Sequence, residues 1–338
     1  MKRKKILVKY FISYLILISL LFLLGEISLR IFNFTPYFAS KPNIEVLPGG
    51  TYIQKDSILG YAHLPGKFKV ILQNEHTFET THLPSTLRIT YPIDSHYLYK
   101  ERPKMWIMGC SVMHGWGVND EETLPWLIQK EFAEFEVINW GVSGYGTLHS
   151  LLQLENNLPE NKPNTIVLAY GQFHQMRNVF SRERRRHVMS WGHLGLLNQP
   201  YGKLDSDGKL IIHQSDKLVH QLWKGAKTFR VIYYGQALIE KFLDFFDDRK
   251  KVTEQILLRI KHICAKNNIE LVLANIEGVG AEHIEKFCGK NQISFVDISW
   301  DVWDEKYTNH PYDGHPNAKG HLLFAEKLLP FLRNQIEK

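Results

Sequence analysis

The chain has 338 residues, 44% hydrophobic and 22% charged, with 23 Gly and 14 Pro, which excludes collagen-like, low-complexity and wholly disordered chains. Its formal charge of +6 is concentrated at one end, where Lys2, Arg3, Lys4, Lys5 and Lys9 lie, so the remainder is nearly neutral and a nucleic-acid partner is not indicated. Three cysteines, Cys110, Cys264 and Cys288, are too few for a disulfide scaffold and lack the paired spacing of a zinc site, so no metal or other cofactor is expected.

Residues 1–9 form a basic tail ahead of the apolar segment YFISYLILISLLFLLG, which runs from Tyr10 to Gly25 and is preceded by Ile6, Leu7 and Val8. A bilayer core needs about 20 apolar residues. Lys9 can lay its stem along such a span with its ammonium at the interface, so residues 10–30 are expected to cross a membrane once. Around Tyr37, Phe38 and Ala39 small residues suited to cleavage are poorly provided, and no cysteine is available for lipidation; an uncleaved anchor is expected. The basic flank should hold the N-terminus in the cytoplasm and place the main domain on the exterior or periplasmic side. A buried core helix is the competing reading.

Residues 40–103 are rich in Thr, Tyr, Pro and His with short alternating stretches such as FKVILQ and TLRITYP, which suit a β-rich lead-in. From residue 104 short apolar runs alternate with helix-like stretches: MWIMG, TLPWLIQKEFAEF, EVINW, LHSLLQLENNL, TIVLAY. Farther on come KVTEQILLRIKHICAKNN, IELVLAN, AEHIEKFCGK, ISFVDI and a closing helix from about Asn317. Apolar strands between amphipathic helices predict an α/β fold, a doubly wound parallel sheet covered on both faces, over 104–338. An insertion at 178–235 carries Trp191, Tyr201, Trp223, Tyr233 and Tyr234; long loops at strand ends border the ligand crevice in such sheets, so it is a candidate cap. Its run RERRR, Arg182 to Arg186, reads either as a solvated face or as a clamp for carboxylate or phosphate.

Two segments carry chemistry. In MWIMGCSVMHGWGV an apolar strand runs into Gly109, Cys110 and Ser111, which places a hydroxyl at the carboxyl end of a strand, where such a sheet presents ligand-facing groups. In YDGHPNAKGH, Pro316 disfavours a helical His315, and side chains two apart in extended chain share a face. Asp313 can then accept from Nδ1 of His315 and leave Nε2 free to take a proton from a serine.

In this order and separation, GCSVMHGWGVNDEETLPWLIQ, NWGVSGYGT, AYGQFHQ and DGHPNAKGH resemble the blocks of the SGNH hydrolases, or GDSL esterases and lipases, over roughly Lys104 to the C-terminus. The resemblance implies a flavodoxin-like sheet with Ser111 as nucleophile, His315 as base and Asp313 as its partner. It also implies an oxyanion hole from the Ser111 amide, Gly144 and, in place of the family's asparagine, Gln172. His174 is a second candidate donor. Three departures stand out: Cys110 replaces the family's acid beside the serine, Gln172 replaces the asparagine, and Asp313 is two residues from His315 where three is usual, leaving Asp301 and Asp304 as rival partners. His114, His174 and Arg177 are candidate substrate contacts, Asn178 a structural or substrate group, and His310 and His321 packing or surface residues. Cys264 and Cys288 are candidates for a disulfide in an oxidising compartment.

The expected function is ester hydrolysis by an anchored serine esterase acting on an acylated small molecule or glycan, with O-acetyl on an exported glycan as the substrate class that the resemblance and the aromatic insertion suggest. Acyl transfer to a sugar, or non-catalytic glycan binding on the same fold, are the alternatives.

Overall fold

The computed structural model describes residues 2–36, 43–92, 102–188, 194, 197–215, 222–301 and 304–337; Trp191 and the segment around Tyr37 to Ala39 lie outside them. The chain divides into two compact units, one of residues 1–41, 182–193 and 219–247, the other of 42–181, 194–218 and 248–338.

The second unit opens with strands β1 (Ile44–Leu47), β2 (Ile53–Asp56), β3 (Gly60–His63), β4 (Gly66–Leu72) and β5 (His76–His82). They form an antiparallel sheet in the order β1-β4-β5 and a β2-β3 hairpin, around Tyr52, Phe68, Val70 and Phe78. Single-residue bridges from Arg88 to His82 and Asn139 tie this lead-in to the rest of the unit.

There follow β6 (Lys104–Met108), α2 (Ser111–His114), α3 (Leu124–Glu131), β7 (Glu136–Asn139), α4 (Thr147–Asn157), β8 (Thr165–Tyr170) and α5 (His174–Asn178). After α6 (Arg182–Val188) come the β9 (Pro200–Leu204) and β10 (Leu210–Gln214) hairpin, then α7 (Arg230–Asp244), α8 (Arg249–Lys266), β11 (Glu270–Asn275), α9 (Ala281–Lys290), β12 (Ser294–Asp297) and α10 (Ala318–Ile336). The main sheet has the order β12-β11-β8-β6-β7, with every pair parallel. By position along the fold this is 2-1-3-4-5 read from the β7 edge, the flavodoxin-like arrangement, whose order reverses between β6 and β8.

Alternation within the strands builds the two cores. Trp106, Met108, Ile166, Leu168 and Leu273 face α4, α8 and α9 through Leu148, Leu151, Ile256, Ile260 and Ile284. Met105, Ile107, Val167 and Val272 face α3 and α10 through Ile128, Phe324 and Leu328. Because both faces are covered, the central strand β8 is a nearly continuous apolar run, TIVLAY, buried at every position. Thr123 starts α3 by accepting from the Trp126 amide, and Asn317 starts α10 by accepting from Lys319 and Gly320; each satisfies orphan amides of a first turn.

The first unit holds α1 (Lys2–Ile31), α6 and α7. From Ile6 to Ile31 helix α1 is long and apolar enough to cross a membrane. Phe22, Gly25 and Glu26 meet the start of α7: the Phe22 and Phe229 rings lie edge to face at 5.3 Å, and Glu26 accepts from the Val231 amide at 3.0 Å. The arginine run lies in α6 and is neither a solvated face nor an open clamp. Arg182 pairs with Asp244 at 3.0 Å and Arg186 with Glu240 at 2.8 Å.

Candidate active site

Strand β6 delivers its end to the point where the sheet order reverses, and Gly109 makes the turn possible. A Cβ there would sit 2.8 Å from Met113 Cγ and 3.0 Å from Ala169 Cβ, so any side chain would push the turn off β8. Cys110 is the N-cap of α2 and Ser111 its first residue. Cys110 is fully buried among Met113, Ile107 and Ala169. Gly141 lets the loop after β7 press on α2, since a Cβ would lie 2.3 Å from the His114 amide nitrogen. The short helix ends at Gly115 in the left-handed region, φ +85°.

From the far end of the chain, residues 308–317 bring His315 to the same place. Thr308 and Pro316 form an isolated bridge, and the Asn309 amide donates to the His315 carbonyl at 2.9 Å. His315 Nε2 stands 2.8 Å from Ser111 Oγ, and His315 Nδ1 is hydrogen-bonded to Asp313 Oδ1. The same carboxylate oxygen accepts from the His315 amide at 2.6 Å, and Oδ2 accepts from Trp116 Nε1 at 3.1 Å. Burial would raise the pKa of Asp313, but the hydrogen bonds and charge of His315 and the Trp116 indole N–H outweigh it and hold the carboxyl below its usual range. Asp304 is occupied in capping the turn at Glu305–Tyr307 through the Lys306 amide at 3.0 Å, and Asp301 is exposed; Asp313 is the acid on Nδ1.

The loop between β7 and α4 carries Gly144 with φ +84°, a conformation that favours glycine. Its neighbours are fixed on both sides: Tyr61 Oη donates to the Ser143 carbonyl at 2.9 Å, and Arg177 Nη1 donates to the Tyr145 carbonyl at 2.8 Å. The Arg177 guanidinium also lies 4.5 Å above the Phe173 ring, so it braces this loop. Asn178 Oδ1 accepts from the Leu148 amide at 2.9 Å and caps α4 from a neighbouring helix. Gln172 is exposed, with its carboxamide resting against Gly280 ahead of α9.

Two other histidines nominated from the sequence are enclosed and do not face a substrate. His174 is 1% exposed, its Nδ1 lies 3.3 Å from Thr147 Oγ1, and burial beside the Arg177 charge pushes its pKa well below the usual value. His114 is fully buried against His63 and His82, with Nε2 atoms of His82 and His114 3.0 Å apart. These three are the described side chains whose nitrogens could gather round a cation, within 4.8 Å of one another. However, the His63 and His82 rings stack 7° from parallel at 4.3 Å, so their in-plane lone pairs run side by side instead of converging. Burial pushes His63 down to about 3 and His82 and His114 well below 6.5; the cluster is a neutral packing element.

His321 is buried and accepts on Nδ1 from the Leu124 amide at 3.2 Å, while His310 is on the surface beside Glu305. Cys264 and Cys288 are free and buried in one core instead of paired, and burial pushes both thiols up to about 12. Sequence reasoning missed Trp116, Gly141 and Tyr61, and also Arg88. The last is a fully buried guanidinium that binds Asp120 and the carbonyls of Glu79, His114, Gly115 and Val118. Trp116 had a signal, its place five residues after the serine in an unusual GWG; a buried arginine has none, since it reads like a surface one.

A serine hydroxyl thus stands at the switch point of a doubly wound sheet, with a histidine from the closing segment against it. Solved structures similar in fold include EstA, an esterase from Pseudoalteromonas sp., at 12% identity and TM-score 0.39 over 70% of this chain and 99% of that one. A member of the lipolytic G-D-S-L family from Veillonella parvula matches at 10% identity and TM-score 0.38 over 67% of this chain and 96% of its own. A two-domain esterase active on acetylated mannans matches at 13% identity and TM-score 0.37 over 69% of this chain and 49% of its own. No family model matches the chain, and no curated protein does. At such identities and TM-scores these likenesses carry no argument, and the chemistry rests on this chain's own side chains.

Proposed function

We propose that this chain is a membrane-anchored serine esterase that hydrolyses an acyl ester, with O-acetyl groups on an exported glycan as the substrate class. The hydrogen-bonded series Ser111 Oγ, His315 Nε2, His315 Nδ1, Asp313 Oδ1 carries the reading. A serine hydroxyl is a poor nucleophile until a base removes its proton during attack. As Oγ bonds to the ester carbonyl carbon, its proton passes to Nε2, and Asp313 stabilises the imidazolium by facing it as a carboxylate. The carbonyl oxygen becomes anionic, and the Ser111 and Gly144 amides are the donors this reading assigns to it; donors of this kind contribute about 3–4 kcal/mol each. Gln172 would join them only by turning from Gly280. The C–O bond then breaks, the imidazolium returns its proton to the leaving alkoxide, and water repeats the sequence on the acyl-serine.

The 34% exposure of the His315 side chain leaves this site open to an acyl group borne on a large acceptor, as the ester of a glycan would be. The anchor is supported by α1: 26 residues from Ile6 to Ile31 span about 39 Å, more than a hydrocarbon core of about 30 Å. The test is hydrolysis of an activated acetyl ester by the full chain in detergent, compared with Ser111→Ala. Equal rates would end the proposal. Mass analysis with a glycan acceptor separates hydrolysis from transfer, because only transfer makes the acceptor heavier.

A further inference from the structure

Helix α7 is amphipathic the wrong way round for a helix in water. Its enclosed stripe is Tyr233, Gln236, Glu240 and Asp244, which at spacings of three and four share one face. The opposite face carries Leu238, Ile239 and Phe242 and continues into Phe245 and Phe246; Leu238, Phe242, Phe245 and Phe246 are 63–75% exposed. The polar stripe is not idle: Arg186 and Arg182 of α6 pair with Glu240 and Asp244, and Gln236 accepts from the Trp223 amide at 2.8 Å. The acids are therefore matched inside the unit while the aromatic face is turned out. Something apolar must cover that face.

The same unit supplies the reason to choose lipid. The N-terminal turn of α7 is fastened to the far end of the apolar span: Glu26 accepts from the Val231 amide, Arg230 donates to the Leu29 carbonyl at 3.0 Å, and Arg30 donates to the Thr228 carbonyl at 3.1 Å. Around that junction Phe32, Phe34, Trp223 and Phe229 are exposed, and of these Trp223 is of the type enriched at a membrane–water interface. Exposed Lys224, Lys227 and Lys241 accompany them, cations suited to anionic headgroups. We propose that α7 is a second, interfacial attachment that lays Leu238, Ile239, Phe242, Phe245 and Phe246 into the leaflet at the C-terminal end of α1. This rests on reading α1 as a membrane span. The fastening at Glu26 would then hold α7 at the depth where that span leaves the hydrocarbon, and the RERRR run would serve to neutralise the acids on its inner face.

The test uses the full chain in nanodiscs of phosphatidylethanolamine and phosphatidylglycerol, open to solvent on both faces. Single cysteines replace Leu238, Phe242 or Phe245 and carry an environment-sensitive fluorophore, the three native thiols being buried; Leu17→Cys reports on the span and Lys286→Cys on exposed surface. The expected result is loss of iodide quenching and gain of quenching by nitroxide-labelled lipid at the three α7 positions and at Leu17, but not at Lys286. Iodide quenching at α7 with lipid quenching kept at Leu17 would overturn the proposal and leave the anchor standing. Iodide quenching at Leu17 would overturn both. Protection at α7 without lipid quenching, lost when each nanodisc holds a single chain, would identify a second copy as the occupant and also overturn it.

Discussion

Replacing Arg88 by methionine tests how the lead-in supports the site. Arg88 has no solvent exposure, and its Nε lies 2.7 Å from Asp120 Oδ1. Its other nitrogens donate to the carbonyls of Glu79 at 2.9 Å, His114 at 3.0 Å, Gly115 at 2.6 Å and Val118 at 2.8 Å. One side chain thus pins the loop that runs from the nucleophile helix past Trp116 to the start of α3. Methionine fills much of the volume but strands the Asp120 carboxylate, at a cost of about 3–5 kcal/mol for a broken buried pair. Each carbonyl left without a donor adds about 1 kcal/mol. Against a total stability of about 5–15 kcal/mol, Arg88→Met should lose most of its unfolding free energy in a urea titration followed by tryptophan fluorescence. Adding Asp120→Asn should recover about half of the loss, because it removes the stranded charge but leaves the four carbonyls without their donor. A cost below about 1 kcal/mol for the single variant, or no recovery in the double variant, would refute this account of the loop.

Trp116→Phe keeps an aromatic ring but removes the N–H on Asp313; at about 1.5–3 kcal/mol for a hydrogen bond to a charged group, kcat should fall about ten- to a hundredfold with KM unchanged. A change confined to KM would place Trp116 in substrate binding instead. Gly141→Ala puts a methyl 2.3 Å from the His114 amide nitrogen, so it should cost about 1–3 kcal/mol of stability and lower kcat by moving α2; thermal unfolding and ester hydrolysis read the two effects. His63, His82, His114, His174 and His321 are held neutral in the fold. Their contribution is therefore fully present above about pH 6.5 and is lost as pH falls, because the unfolded chain takes up protons that the folded chain refuses, at up to about 1.4 kcal/mol per pH unit for each. Asp313, whose folded pKa is lowered, acts in the same direction at lower pH, its share present above about 4 and lost as pH falls through its folded value. Urea titrations across pH 4–8 should show stability falling toward acid; stability independent of pH over that range would contradict the burial of these rings.

The strands and helices of the sheet are legible in the sequence because period and burial coincide there. TIVLAY is a nearly unbroken apolar run since both faces of β8 are covered, and Asn317 announces α10 as a cap. Ser111 and His315 are legible because a glycine turn after a strand and an Asp-x-His before a proline are local patterns. What stays hidden depends on long-range packing. Arg182 and Arg186 look like solvent-facing charge until Asp244 and Glu240, about 60 residues on, appear beneath them. Gln172 aligns with a donor position by counting, yet its side chain rests against Gly280, a contact no spacing encodes. His114 and His174 read as polar residues near a crevice, whereas the lead-in and α4 enclose them.

If His315, held by Asp313, activates Ser111, the serine should react as a nucleophile where others do not. Exposure of the folded full chain to a fluorophosphonate, followed by peptide mass analysis, tests it most directly. One phosphonyl adduct is expected on the peptide carrying Ser111 in the parent chain, and its loss in His315→Ala, whose fold is checked by circular dichroism. An unlabelled Ser111 in the folded parent, or labelling undiminished by His315→Ala, would contradict it.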